Sequence, residues 1–138
     1  MMRFPRAAVA SVLIAVLAGI GCHNTTTTTP SGSTTVTTGF SSRILVGGSA
    51  WKSFNQTSTS IVTARLFALN PDSEAVMRIG FGTFDGTTCT PTITVDAAPN
   101  DTDPQLTAPL PPGRYCLMIS DIGNLKKVND FAIVLIQP

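Results

Sequence analysis

Ser60-Ile-Val-Thr-Ala-Arg-Leu66 places Val62, Ala64 and Leu66 on one side of an extended chain and Thr63 and Arg65 on the other. Alternation with a period of two is what a strand with one buried face requires, because successive side chains point to opposite faces of a sheet. The pattern recurs downstream. Met77, Ile79 and Phe81 alternate with Arg78 and Gly80, and Tyr115, Leu117 and Ile119 alternate with Cys116, Met118 and Ser120. Phe131, Ile133 and Leu135 alternate with Ala132, Val134 and Ile136, so the last segment is apolar on both sides. That predicts a central place in its sheet or cover from a loop.

Working outward, strands are predicted over residues 43–46, 50–55, 60–69, 75–81, 90–96, 105–108, 114–120 and 130–136. Turn-forming residues separate them: Gly47-Gly48, Asn70-Pro71-Asp72, Asp85-Gly86, Pro99-Asn100-Asp101, Pro111-Pro112-Gly113 and Ile122-Gly123-Asn124. No segment combines helical periodicity with cap signals. Short strands divided by Gly and Pro predict an all-β, antiparallel sandwich over residues 39–138, about 100 residues and enough for one core. Trp51 and Phe54 are expected to plug one end of that core, and Tyr115 to be buried, since aromatic side chains bury large apolar areas.

The first 21 residues have a different character. Arg3 and Arg6 precede the apolar run AAVASVLIAVLAGI, the layout of a secretory leader. The run is too short for a lasting membrane span, which needs about 20 apolar residues, and it has no polar face. Leu17-Ala-Gly-Ile-Gly-Cys22 resembles the lipobox of bacterial lipoproteins, with Gly21 directly before Cys22 and Gly19 where an aliphatic residue is usual. The resemblance implies lipidation of Cys22, a membrane anchor and a place in the cell envelope, periplasmic or surface-exposed. The alternative is ordinary cleavage and a freely secreted protein with one unpaired thiol, a liability in an oxidising compartment. From Asn24 to Thr38, nine of 15 residues are threonine. So little apolar surface cannot offset the entropy of ordering, so residues 22–38 are read as a flexible tether, of which residues 24–38 span at most about 50 Å.

Only 12% of the residues are charged. From Cys22 onward seven Lys or Arg face eight Asp or Glu, a net charge of −1. That gives no electrostatic case for nucleic acid. In an exported domain Cys89 and Cys116 are expected to pair. The bond would close a loop of about 28 residues, which the chain-entropy model values at roughly 3 to 4 kcal/mol. A redox-active pair is the competing reading, but there is no C-x-x-C spacing and no helix to lower a thiol pKa.

Catalytic signals are sparse. The sole histidine, His23, lies in the tether and cannot join a rigid Ser-His-Asp or Cys-His system. Two cysteines without a nearby histidine fall short of a zinc shell. Asp72 with Glu74, and Asp101 with Asp103, are turn carboxylates that a hydrolase could use as a pair. Asp96, Asn100, Asp101 and Asp103 offer the hard oxygen ligands calcium takes, without the EF-hand spacing. Gly80-Phe-Gly82 resembles half of a phosphate loop, lacks the following helix, and reads better as a bulge or strand end. No cofactor is expected.

Leu110-Pro-Pro-Gly-Arg-Tyr-Cys116 and the closing Phe131-Ala-Ile-Val-Leu135 resemble the last hairpin of bacterial pre-peptidase C-terminal domains. Gly47-Gly-Ser-Ala-Trp51, with Phe54, and the Ser60–Leu66 strand with its Pro-Asp turn resemble the family's opening strands. The cysteine pair is not general to that family and looks like a variant of single-domain lipoproteins. The resemblance implies a jelly-roll-like sandwich without catalytic residues, used in secretion or in substrate or surface binding. A non-catalytic envelope binding or structural module is therefore the first functional expectation. Carbohydrate binding and a peptidase-accessory role are the alternatives, with a carboxylate-dependent hydrolase behind them.

Overall fold

The computed structural model describes residues 34–138; the stretch read as a leader, Cys22, His23 and most of the stretch read as a tether lie outside them. The described residues form eight strands: β1 (Val36–Ile44), β2 (Ser49–Gln56), β3 (Ser60–Asn70), β4 (Met77–Phe84), β5 (Cys89–Ala97), β6 (Leu106–Leu110), β7 (Gly113–Asp121) and β8 (Asn129–Gln137). They make two four-stranded sheets, β1-β8-β3-β6 and β2-β7-β4-β5, with every pairing antiparallel. This is the predicted sandwich, and its strand order is that of a jelly roll. The pairings β1·β8, β2·β7, β3·β6 and β4·β5 are nested, as in one long hairpin that folds back after β4 and is then rolled up, alternate pairs falling in opposite sheets.

The period-two residues do what their spacing requires. Val62, Leu66, Met77, Ile79, Phe81, Leu117, Ile119, Ile133 and Leu135 are buried in one core between the sheets. Fully burying each such side chain contributes about 1.5–3 kcal/mol. The two-sided last strand, β8, lies between β1 and β3, the central position its composition predicted.

Two expectations fail. The sequence pattern predicts a first strand over residues 43–46, but β1 runs from Val36 to Ile44 and takes in Val36, Thr37 and Thr38 of the stretch read as a tether. Their partners are Gln137, Ile136 and Leu135 of β8. Thr tolerates a sheet well, and the ladder satisfies backbone groups without needing apolar side chains. Leu45 and Val46 instead enter the turn, in which Gly48 N–H donates to Leu45 O at 2.9 Å and Gly47 sits at a φ of +67°.

The second failure concerns Trp51. Phe54 does seal one end of the core, against Phe81 and Tyr115 with ring centroids 5.9 Å away in each case. Trp51 is 42% exposed. Residues three apart on one strand face opposite sides, so Trp51 and Phe54 could not both point inward. Tyr115 is half-buried rather than buried, and its hydroxyl donates to Pro111 O at 3.0 Å.

Between the sheet edges at β1 and β2, the gap lined by Phe40, Phe54, Leu117 and Leu135 holds about 10 Å³, room for one water at most. Lys52, inward-facing on the edge strand β2, closes it by donating from Nζ to Gly39 O at 2.9 Å. A charged residue turned inward at a sheet edge also discourages edge-to-edge association.

One close approach fixes the geometry of the second sheet. The β4–β5 register shifts between Phe81 and Gly82, the bulge that the glycine suggested. A Cβ on Gly82 would lie 2.3 Å from Thr90 O and 2.8 Å from Pro91 Cα. The start of β5 therefore lies against bare β4 backbone. That approach lets Cys89 reach past β4 and bond Cys116 on β7, although the two strands are not neighbours. Gly82→Ala is expected to lower unfolding free energy by about 1–3 kcal/mol or more, because only backbone could yield. Gly39→Ala, whose Cβ would meet nothing within 4 Å, should stay within about 0.5 kcal/mol of the parent in urea melts.

Candidate ligand-binding surface

The outward face of the sheet β2-β7-β4-β5 follows from its register. Trp51 lies opposite Met118, Ser53 opposite Cys116, and Asn55 opposite Arg114. Gly80 and Gly82 of β4 continue the Met118 and Cys116 rows, and Phe84 has the same parity. With no side chain at either glycine, the Trp51 ring reaches toward β4. Its centroid lies 5.1 Å from that of Phe84, with the planes tilted by 46°. The Arg114 guanidinium sits over the other part of this cluster, its Cζ 5.2 Å from the Phe84 centroid. Trp51, Phe84 and Arg114 thus form a continuous platform on three adjacent strands.

Exposed cation–π contacts are worth only about 0.5–1 kcal/mol, so Arg114 adds little to stability. The contact instead orients a planar group whose N–H donors make no hydrogen bond and no ion pair among the described residues. Trp51 Nε1 likewise has no acceptor there. The only carboxylate on this outward face, Asp96, is engaged by Arg78 through Nε at 2.7 Å and Nη2 at 2.8 Å.

The sequence-nominated carboxylates have other work. Asp72 accepts from Asn129 Nδ2 at 2.9 Å and from Lys126 N–H at 3.1 Å, while its own N–H donates to Asn129 Oδ1 at 2.8 Å. Asn129 is 1% exposed, so this pair supplies a buried amide with partners and locks the β3–β4 loop to the β7–β8 loop. Glu74 has no hydrogen bond to Asp72, and the two do not form a paired acid and base. Asp85 Oδ1 accepts from the N–H groups of Thr87 and Thr88 at 2.9 and 2.7 Å, an Asx turn that closes the β4–β5 hairpin.

The calcium candidates are not assembled. Asp96 is held on β5 by Arg78, whereas Asn100 Oδ1 accepts from Thr102 N–H at 2.8 Å and Thr102 Oγ1 at 2.9 Å. Asp103 Oδ2 accepts from the same Thr102 hydroxyl at 3.0 Å, and Arg65 Nη1 donates to the main-chain oxygen of Asp101. Among the described residues no three His, Cys, Asp or Glu side chains gather as a metal would need. These loop oxygens shape turns, and the spacing that suggested calcium reflects that. Gly80-Phe-Gly82 lies within β4, where β5 approaches closely.

Sequence reading passed over Asp121, which does more than any nominated acid. Its Oδ2 accepts from Gly47 N–H at 2.8 Å, and Oδ1 accepts from the N–H groups of Gly123, Asn124 and Leu125 at 2.9, 2.8 and 3.1 Å. Its own N–H donates to Gly48 O at 2.9 Å. The β1–β2 turn and the β7–β8 loop are thereby tied to one residue. The available signal was Asp two residues before a glycine at a strand end, a turn-capping pattern.

Burial alone would raise the Asp121 pKa, but the amides of Gly47, Leu125, Asn124 and Gly123 outweigh it and hold the carboxyl below 3.8, its ordinary value. Asp72 is lowered by the Asn129 side chain and then by the Lys126 amide, Asp85 by the Thr87 and Thr88 amides, and Asp96 by Arg78. A pKa depressed on folding stabilises the native state above the unfolded value, and that stabilisation is lost as pH falls through the folded value. The melting temperature should be nearly flat between about pH 8 and pH 5 and fall below about pH 4. Asp121→Asn should shallow that acid limb, as read by thermal melts across pH.

No protein-family model matches the chain, and no curated protein matches it in sequence.

Proposed function

We propose that this chain is a non-catalytic binding module of the bacterial cell envelope, held to the membrane by a lipid on Cys22 and meeting its ligand with the Trp51 face. The observation that carries the reading is the position of Trp51. The only tryptophan of the chain is 42% exposed on the outward face of a sheet, backed by Phe84 and flanked by Arg114. A rigid aromatic on regular secondary structure is a costly thing to leave in water and a favourable thing to bind with, since little side-chain freedom is lost on contact. The involvement of Asp72, Asp85, Asp96 and Asp121 in turns and an ion pair supports a binding role over hydrolysis. The leader, the lipobox-like Leu17–Cys22 and the threonine-rich stretch support export and anchoring. The resemblance to pre-peptidase C-terminal domains belongs to the same reading, and the antiparallel sandwich accords with it.

Two measurements test it. The full-length chain should co-sediment with isolated peptidoglycan sacculi or another purified envelope polysaccharide. Trp51→Ala should reduce the bound fraction about tenfold, a typical loss for a central aromatic anchor, with an unchanged melting temperature. Equal binding by the variant would remove the Trp51 face from the proposal. Intact mass spectrometry of protein from native membranes should show a chain beginning at Cys22 with added acyl mass and two hydrogens fewer for the Cys89–Cys116 bond. An unacylated chain recovered from the medium would replace anchoring with secretion.

A further inference from the structure

We infer that the Trp51–Phe84–Arg114 platform recognises an acidic polysaccharide, a sugar ring lying on the Trp51 indole and a carboxylate taken by Arg114. This rests on the binding reading above and narrows it to a ligand class.

Three observations carry it. The first is the apolar part. Trp51, 42% exposed and backed by Phe84 at 5.1 Å, presents a ring suited to the C–H face of a pyranose. The second is charge. Arg114 stands over Phe84 with its guanidinium donors unspent, and the face has no acidic side chain to answer it, because Asp96 is already engaged by Arg78. A guanidinium offers paired N–H groups in the geometry a carboxylate accepts, which a point charge does not. The third is the neighbouring amide. Asn55 lies directly opposite Arg114 across the β2–β7 ladder, and its side chain makes no hydrogen bond among the described residues. Cross-strand neighbours stand about 4.5–5.5 Å apart at Cβ, so this amide is within reach of hydroxyls on a sugar held by Arg114.

The exposure of the face favours a polymer. Trp51 is 42% exposed, so one ring makes a weak contact, whereas a chain of equivalent sugars rebinds from many registers. A nucleic acid is a poor fit. The single arginine of this platform, on a chain whose net charge from Cys22 onward is −1, neutralises too few phosphates.

The test uses the purified full-length chain in affinity electrophoresis against polygalacturonate, its fully methyl-esterified form, alginate and neutral dextran. Retardation by one or both uronate polymers is expected, at least about tenfold stronger than by the ester, in which the carboxylate is masked. Arg114→Gln should lose about tenfold in affinity for the uronate polymer and little for the ester. Arg114→Lys should recover only part of the loss, since it restores charge but not the fork. Trp51→Ala should weaken binding to both forms. Far-ultraviolet circular dichroism and melting temperature of each variant serve as the folding control. No retardation by either uronate polymer, equal retardation by the ester, or full affinity in Arg114→Gln overturns the acidic-ligand inference. If Trp51→Ala alone loses sacculus binding, the binding face survives and only the ligand class falls. If neither substitution affects any binding, the face falls as well.

Discussion

Everything in this domain depends on one dry layer between two pleated sheets. Val62, Leu66, Met77, Ile79, Phe81, Leu117, Ile119, Ile133 and Leu135 fill it, and each occupies the inward parity of its strand. A one-residue slip in any strand would turn that set to solvent, so the core dictates register as well as stability. The two exceptions to apolar burial, Gln56 and Asn129, are supplied with partners at the ends of the sandwich. No buried side-chain polar atom among the described residues lacks a hydrogen bond.

The rolled-hairpin topology makes nearly every stabilising contact long-range. β1 finds β8 and β2 finds β7 across most of the chain. Such a fold must offset large loop-closure entropy before its contacts contribute. The cross-links fall where that cost is felt. Cys89–Cys116 joins non-adjacent strands across Gly82. Asp121 and the Asp72–Asn129 pair tie loops distant in sequence through charge-assisted and fully satisfied hydrogen bonds. The polar residues that look chemically suggestive in the sequence are mostly these ties.

The same parity that builds the core creates the candidate surface. Phe54 is inward and seals; Trp51, three residues earlier, is therefore outward. Gly80 and Gly82, required where β5 crosses close to β4, leave no side chains between the Trp51 and Phe84 rings. Packing on one side of the sheet and the ring platform on the other are thus consequences of one strand arrangement, and the disulfide joins β7, which carries Arg114, to β5.

By itself the sequence determined the β class, the number of strands, the inward residues of β3, β4, β7 and β8, most turns and the cysteine pairing. These depend on local alternation, on Gly and Pro chemistry, and on there being one sensible partner for each thiol. The start of β1 was hidden because Val36, Thr37 and Thr38 are ordered by a backbone ladder to β8, which leaves no apolar pattern in the chain. Among the described residues Asp96 is held by Arg78 while Asn100 and Asp103 accept from Thr102, because proximity in sequence says nothing of which donor a turn oxygen will meet. Only the tertiary structure decided that Asp121 joins two loops, that Trp51 meets Phe84, and that Arg114 is left without an acid. The pairs Gly47–Asp121, Trp51–Phe84 and Phe84–Arg114 are 30 to 74 positions apart, and only the pairing of distant strands brings them within reach.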